Sequence, residues 1–216
     1  MKKPKTAYIL IILLLILSVL FFLFPFEDIA KNLPVLKTFY KNTTLEITTP
    51  NGKATVKING KNYGETPATI TELVADEYEV ELTRISESSG FYKPHIFNIK
   101  LTKNSTSRIN MEIGPDDNLH GFILYYTQDN TTGENKGKLI LTSNADNAKA
   151  IISSKYEENI PVTNLELIAG EYNVKISAPN FEDLEFPIVI REKHILNVKV
   201  YQFPIPVSFD LVENNE

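Results

Sequence analysis

Three pairs of adjacent carboxylates, Asp116-Asp117, Glu157-Glu158 and Glu182-Asp183, are the side chains of this sequence best suited by type to acid–base chemistry. General acid–base catalysis needs two carboxylates that face one another and titrate apart. Neighbours on a strand point to opposite faces, and neighbours in a loop are ordinarily solvated. The three histidines, His95, His120 and His194, stand far apart, with no metal-ligand spacing between them. There is no cysteine, which removes disulfides, thiolate metal sites and thiol nucleophiles together. Asp116, Asp117 and Asn118 lack the alternating spacing of a calcium loop, and a glycine-rich phosphate loop is absent. The sequence therefore reads as non-catalytic, with no catalytic residue, no metal ligand and no cofactor.

The elements that would carry these side chains are strands. Tyr78, Val80 and Leu82 alternate with Glu77, Glu79 and Glu81. The same period of two runs through Phe97/Ile99/Leu101, Ile109/Met111/Ile113, Tyr172/Val174/Ile176, Phe186/Ile188/Ile190 and Leu196/Val198/Val200. Alternation of this kind marks strands with one buried face. Strands about ten residues apart with turn residues between them predict a sandwich. Asn59-Gly60 predicts a type I′ hairpin, because both central positions need positive φ. Gly64-Glu65-Thr66-Pro67 closes that hairpin, and Pro179-Asn180 marks a later turn. Gly133 and Gly137 flank a polar loop over 129–138, read as a hairpin joining strands over 122–126 and 139–142.

Residues 45–83 recur as 139–177, without gaps, at an offset of 94. Identities at Leu45/Leu139, Thr48/Thr142, Ala54/Ala148, Ile58/Ile152, Pro67/Pro161 and Thr69/Thr163 carry the register. ELVADEYEVEL, residues 72–82, returns as ELIAGEYNVKI, residues 166–176. A repeat at fixed spacing defines the structural unit.

The stretch TPNGKATVKINGKNYGETPATITELVADEYEVEL, residues 49–82, resembles the PEGA domain family. The matching positions are Pro50, Gly52 and Ala54, then Val56, Ile58 and Gly60, then Gly64, Thr66 and Pro67, then Leu73, Tyr78 and Val80, with Gly90-Phe91 as the following glycine-aromatic pair. Lys53 intervenes between glycine and alanine, and Asp76 stands where a turn glycine is usual. The second copy keeps Pro161, Leu167, Gly170 and Tyr172. It has Ser154 and Glu158 for the hairpin glycines and Ile160 for the threonine. The resemblance covers about 45–113 and, in degenerate form, about 139–202. It implies small non-catalytic β-sandwiches on the outside of prokaryotic cells, associated with surface layers, wall components or appended enzymes.

Composition adds place. Residues 7–26 are uncharged and long enough, at 1.5 Å per residue, to span a hydrocarbon core of roughly 30 Å. Lys2, Lys3 and Lys5 precede this run, while Glu27 and Asp28 follow it. The positive-inside rule then predicts a cytoplasmic N-terminus and an extracellular body. Pro25 sits at the outer end, where a helix can stop. The alternative is a cleaved secretory signal, but the run is longer than a signal core and ends without a small-x-small site. Outside the segment with Lys2, Lys3 and Lys5 there are 19 basic and 27 acidic residues. A mildly acidic body excludes a nucleic-acid partner of the clustered-basic kind.

The expectation is an all-β protein, two tandem small β-sandwiches after an N-terminal transmembrane helix. Its parts are a tail at 1–6, the helix at 7–26, a stem at 27–44, a first sandwich at 45–115 and a second at 116–216. The second carries an extra N-terminal hairpin strand and a C-terminal strand. Asn32-Leu33-Pro34 breaks the stem, and residues 35–40 read as either a short helix or a first strand. Expected partners are the lipid bilayer, through residues 7–26, and a cell-envelope polysaccharide or another surface protein. Tyr63, Phe91, Tyr92, Tyr125 and Tyr126 form a candidate aromatic platform for such a ligand. The alternative is that each packs at a sandwich end, since of two adjacent rings only one must leave the core. The functional expectation is a single-pass cell-surface protein that binds or positions envelope components. A structural stalk or assembly subunit comes second, and a surface hydrolase third. Asn42-Thr43-Thr44, Asn104-Ser105-Thr106 and Asn130-Thr131-Thr132 match the glycosylation sequon.

Overall fold

The computed structural model describes residues 5–23, 42–87 and 89–206. The chain divides into two units, residues 1–41 and 42–216. In the first, helix α1 runs Lys5–Leu23, 19 residues with no acidic residue in its first turn and no basic residue in its last. Its described apolar side chains, Tyr8, Leu10, Ile11, Ile12, Leu13, Leu14, Leu15, Ile16 and Val19, are all exposed. Among the described residues no helix is long and apolar enough to cross a membrane. The end of the run at 24–26 and the stem up to residue 41 lie outside the described residues.

The second unit is built of strands. The first copy contributes β1 (Thr44–Thr48), β2 (Ala54–Ile58), β3 (Lys61–Glu65), β4 (Ala68–Ile70), β5 (Glu77–Arg84), β6 (His95–Lys100) and β7 (Thr106–Ile113). Then comes β8 (Leu119–Gln128), which has no counterpart in the repeat. The second copy contributes β9 (Lys136–Ser143), β10 (Lys149–Ile152), β11 (Tyr156–Asn159), β12 (Val162–Ile168), β13 (Gly170–Ser177), β14 (Leu184–Ile190) and β15 (His194–Tyr201). Asn59 and Gly60 take φ of 48° and 76°, as the β2–β3 hairpin requires. Asn180 takes φ of 63° in the turn after β13.

The two copies are not separate bodies. They share one seven-stranded sheet in the order β12-β9-β15-β8-β7-β1-β4, with β8 at its centre. A four-stranded sheet β3-β2-β5-β6 covers the first half, and β11-β10-β13-β14 covers the second. β8 is antiparallel to both β7 and β15. Its odd residues Leu119 and Ile123 enter the first core, while Phe122, Leu124 and Tyr126 enter the second. Because side chains alternate across a strand, the two outer sheets lie on opposite faces of the shared one. The boundary expected at 115/116 falls within the β7–β8 connection, where the Gly114 amide donates to the Asn118 carbonyl at 2.9 Å.

The expected hairpin between strands 122–126 and 139–142 is corrected. β15 lies between β8 and β9, antiparallel to the first and parallel to the second. The loop that looked like a hairpin turn is instead closed on itself. The buried Asp129 carboxylate accepts from the Thr131 amide at 2.8 Å and hydroxyl at 2.6 Å, and from the Thr132 hydroxyl. It also pairs with Lys138 at 2.8 Å. Lys138 first, then the two threonines, hold this carboxyl well below the usual carboxylate range.

Close approach of backbones fixes one glycine at the join. Gly121 has φ of 143°, and a Cβ there would stand 2.1 Å from the Asn110 carbonyl oxygen on β7. Only glycine lets β7 and β8 come this near.

Candidate functional site

The three carboxylate pairs lie apart, and each has at least one member beside a lysine. Lys93 reaches Asp117 at 2.9 Å and Asp116 at 4.0 Å. Lys149 meets Glu157 at 2.9 Å, and Lys175 meets Asp183 at 2.8 Å. The hydrogen bonds to Asp117 and Asp183 push the Lys93 and Lys175 ammonium groups up. His95, His120 and His194 each open a different strand region, on β6, β8 and β15. Burial pushes the His95 imidazole down, opposed by Asp117 and the Asp116 backbone. Among the described residues no three His, Cys, Asp or Glu side chains group as metal ligands.

The five aromatic rings do not form one platform. Tyr63 on β3 lies under the Lys61 ammonium, 4.7 Å from the ring centroid. Phe91 is 67% exposed, and its carbonyl accepts from the Asp116 amide at 2.8 Å. Tyr92 packs beneath the Arg84 guanidinium at 4.8 Å. Tyr125 rests half-buried against the first core, whereas Tyr126 is buried in the second. Tyr63, Tyr92 and Tyr125 all pack against the first core.

A groove that the sequence did not reveal lies at the join. It measures about 360 Å³ and is lined from both copies. β1 and β7 give Glu46, Thr106 and Arg108; β8 gives Tyr126; the second copy gives Glu171, Val189 and Arg191. Arg108 Nε donates to Glu46 at 2.9 Å. Arg191 stacks on the Tyr126 ring at 4.6 Å and donates to the Asn104 carbonyl at 3.1 Å. The Tyr126 hydroxyl donates to the Val189 carbonyl at 2.7 Å, and burial pushes this phenol up. Two guanidiniums beside two carboxylates and a threonine hydroxyl form a polar wall of donors and acceptors. With its charges balanced and Leu124, Pro187 and Ile188 beside them, such a surface suits a hydroxyl-rich chain. Arg108 and Arg191 sit on different copies with no local pattern joining them, so no sequence signal marks the site.

The PEGA domain family model matches residues 42–116 and 136–202. The chain belongs to the PEGA domain family. Both PEGA copies now explain their motif positions. In the first, the Thr66 hydroxyl accepts from the buried Ala54 amide at 2.9 Å and bonds Thr49. The motif tyrosines are tied alike: Tyr78 donates to the Val74 carbonyl at 3.1 Å, and Tyr172 to the Ile168 carbonyl at 2.9 Å. The Thr66-Pro67 and Ile160-Pro161 peptides are both cis. Gly52 lies against the Arg84 guanidinium, which donates to the Asn51 carbonyl at 2.9 Å. These motif residues are therefore structural in the PEGA fold. No curated protein matches the chain. One solved structure, the Bacillus anthracis TIE protein, aligns at 15% identity over 73% of this chain and 34% of its own, with a TM-score of 0.25. The chain thus spans about a third of that protein.

Proposed function

We propose that this PEGA protein is a membrane-anchored, non-catalytic cell-surface protein whose fused sandwiches bind or position cell-envelope components. The groove carries this reading. Its wall is assembled from both copies, so it exists only when they are joined. Its arginines and glutamates balance in charge and fit a hydroxylated polymer, with apolar contacts from Leu124, Pro187 and Ile188. The Glu46 carboxylate is held in an ion pair with Arg108, an arrangement suited to shaping a surface rather than to proton transfer.

Support for the anchor is the uncharged run at 7–26 behind three lysines, together with the exposed apolar side chains described on α1, Tyr8, Leu10 to Ile16 and Val19. The shared sheet favours a second reading, a rigid stalk, since seven hydrogen-bonded strands make a stiff spacer between an anchor and a partner.

Calorimetric titration of the full chain in detergent with anionic and neutral envelope polymers distinguishes these. Binding that weakens about tenfold or more in Arg108→Gln or Arg191→Gln supports the groove. Concentration-dependent self-association without polymer binding supports the stalk, and release of shortened polymer supports a hydrolase. Protease accessibility of the β unit from the outer side of intact cells tests the orientation.

A further inference from the structure

We propose that β6 is a docking edge for one extended segment of a partner protein, which adds to the outer sheet of the first copy as a fifth strand. Among the described residues the sheets have six edges: β12 and β4, β3 and β6, β11 and β14. Unpaired edges invite association unless they are blunted. Five of them are. β4 has three residues and follows Pro67. β12 carries a bulge between Val162 and Leu165, with Asn164 at φ 60°. β3 carries charges at both ends and an irregular register against β2. β11 has four residues including Glu157 and Glu158. β14 has Pro187 in its middle, and its Val189 carbonyl is occupied by the Tyr126 hydroxyl.

β6 is blunted only at its ends, where Pro94 precedes it and Lys100 closes it. It runs six residues, HIFNIK, without proline, glycine or bulge. Among the described residues no strand lies on its outer side. The repeat supplies an internal comparison. Tyr78 pairs with Ile99 as Tyr172 pairs with Ile188, and Val80 pairs with Phe97 as Val174 pairs with Phe186. Asn98 therefore occupies the position of Pro187, and Lys100 that of Val189. By that equivalence the outward backbone groups belong to Ile96, Asn98 and Lys100. The Ser107 hydroxyl donates to the Lys100 carbonyl across 3.5 Å.

Geometry selects the occupant. The shared sheet continues beneath and past this edge as β15, β9 and β12. The Phe97 and Tyr201 ring centroids lie 6.0 Å apart, which places β15 beside β6. Stacked sheets stand about 10 Å apart, so a strand added to β6 would lie in a layer above β15. A second copy pairing through β6 would drive its own central sheet into β15 and β9. A single extended segment avoids that clash, and alternate side chains meet different surroundings. Those pointing down meet Tyr125, Tyr201 and the exposed Lys199, a floor for apolar groups and one acid. Those pointing up stand beside Ile96, Asn98 and Lys100 of β6, with Glu77 and Glu81 behind already paired to Lys100 and Lys57, a row that favours uncharged groups.

The test is titration of the full chain in detergent with a capped seven-residue peptide. Its downward positions are valines with one glutamate; its upward positions are threonines. Amide hydrogen exchange is read residue by residue. The proposal expects slowed exchange within 95–100 and affinity reduced at least about tenfold in Asn98→Pro, which copies the block already present on β14. A peptide N-methylated at alternate amides gives the same loss without altering the protein, and decides the matter should Asn98→Pro misfold. Unchanged exchange at millimolar peptide, or equal binding to the N-methylated peptide, overturns the proposal. Self-association of the chain that protects the same amides overturns it as well.

Discussion

Tyr125 and Tyr126 are neighbours on β8 and enter different cores. Tyr125 packs against the first and Tyr126 is buried in the second, its hydroxyl bonded to Val189 on the outer sheet. One strand thus serves two interiors. Tyr126→Phe removes one buried hydrogen bond and is expected to cost about 1 kcal/mol. Because both copies hydrogen-bond to β8, calorimetry should show one transition for the β unit, moved as a whole by this substitution in only one core. Two resolved transitions, with only one displaced, would contradict the shared-sheet account.

Gly121→Ala tests the join directly. The added methyl would stand 2.1 Å from the Asn110 carbonyl oxygen, at a φ of 143° that side chains avoid. Relief requires β7 and β8 to separate. A loss on the order of 4 kcal/mol is expected in denaturant unfolding, among the large values reserved for backbone clash.

The β2–β3 turn offers a local contrast. Gly60→Val places a β-branched residue at φ 76°, and Asn59→Pro demands a negative φ where the chain has 48°. Each is expected to cost about 1–3 kcal/mol. Melting curves equal to wild type would remove the hairpin from the explanation.

His95 gives the pH dependence. Burial holds its folded pKa below the unfolded value of about 6.5. The unfolded chain therefore binds the proton first as pH falls. The contribution to stability is complete above about pH 6.5 and is lost progressively below it, down to the folded pKa. The second copy carries Leu184 at the corresponding register, opposite Ile176 as His95 is opposite Leu82. His95→Leu should raise the melting temperature more at pH 5 than at pH 8. A gain that is the same at both would assign the effect to packing alone.

Strand positions were legible because alternation is a local property. Tyr78/Val80/Leu82 and their repeat mark inward faces whatever lies opposite. Pairing partners were not. Nothing near residue 128 records that β15, some seventy residues on, inserts between β8 and β9. The run Phe122-Ile123-Leu124-Tyr125-Tyr126 did hold a clue, since continuous apolar sequence marks a strand covered on both faces. Read with a single core in mind, it left one tyrosine outside. The groove was invisible for the same reason as β15: Arg108 and Arg191 become neighbours only after the copies fuse.

The double duty of β8 restricts how this molecule can change. Deleting one residue inside the strand would turn Phe122 and Leu124 toward the first interior and Ile123 toward the second, a register error that reaches both halves at once. Nor does any cut through residues 119–128 yield two self-sufficient pieces, because each fragment would lack a wall supplied by the other. Duplication made two copies, and the added strand left them as a single heritable unit.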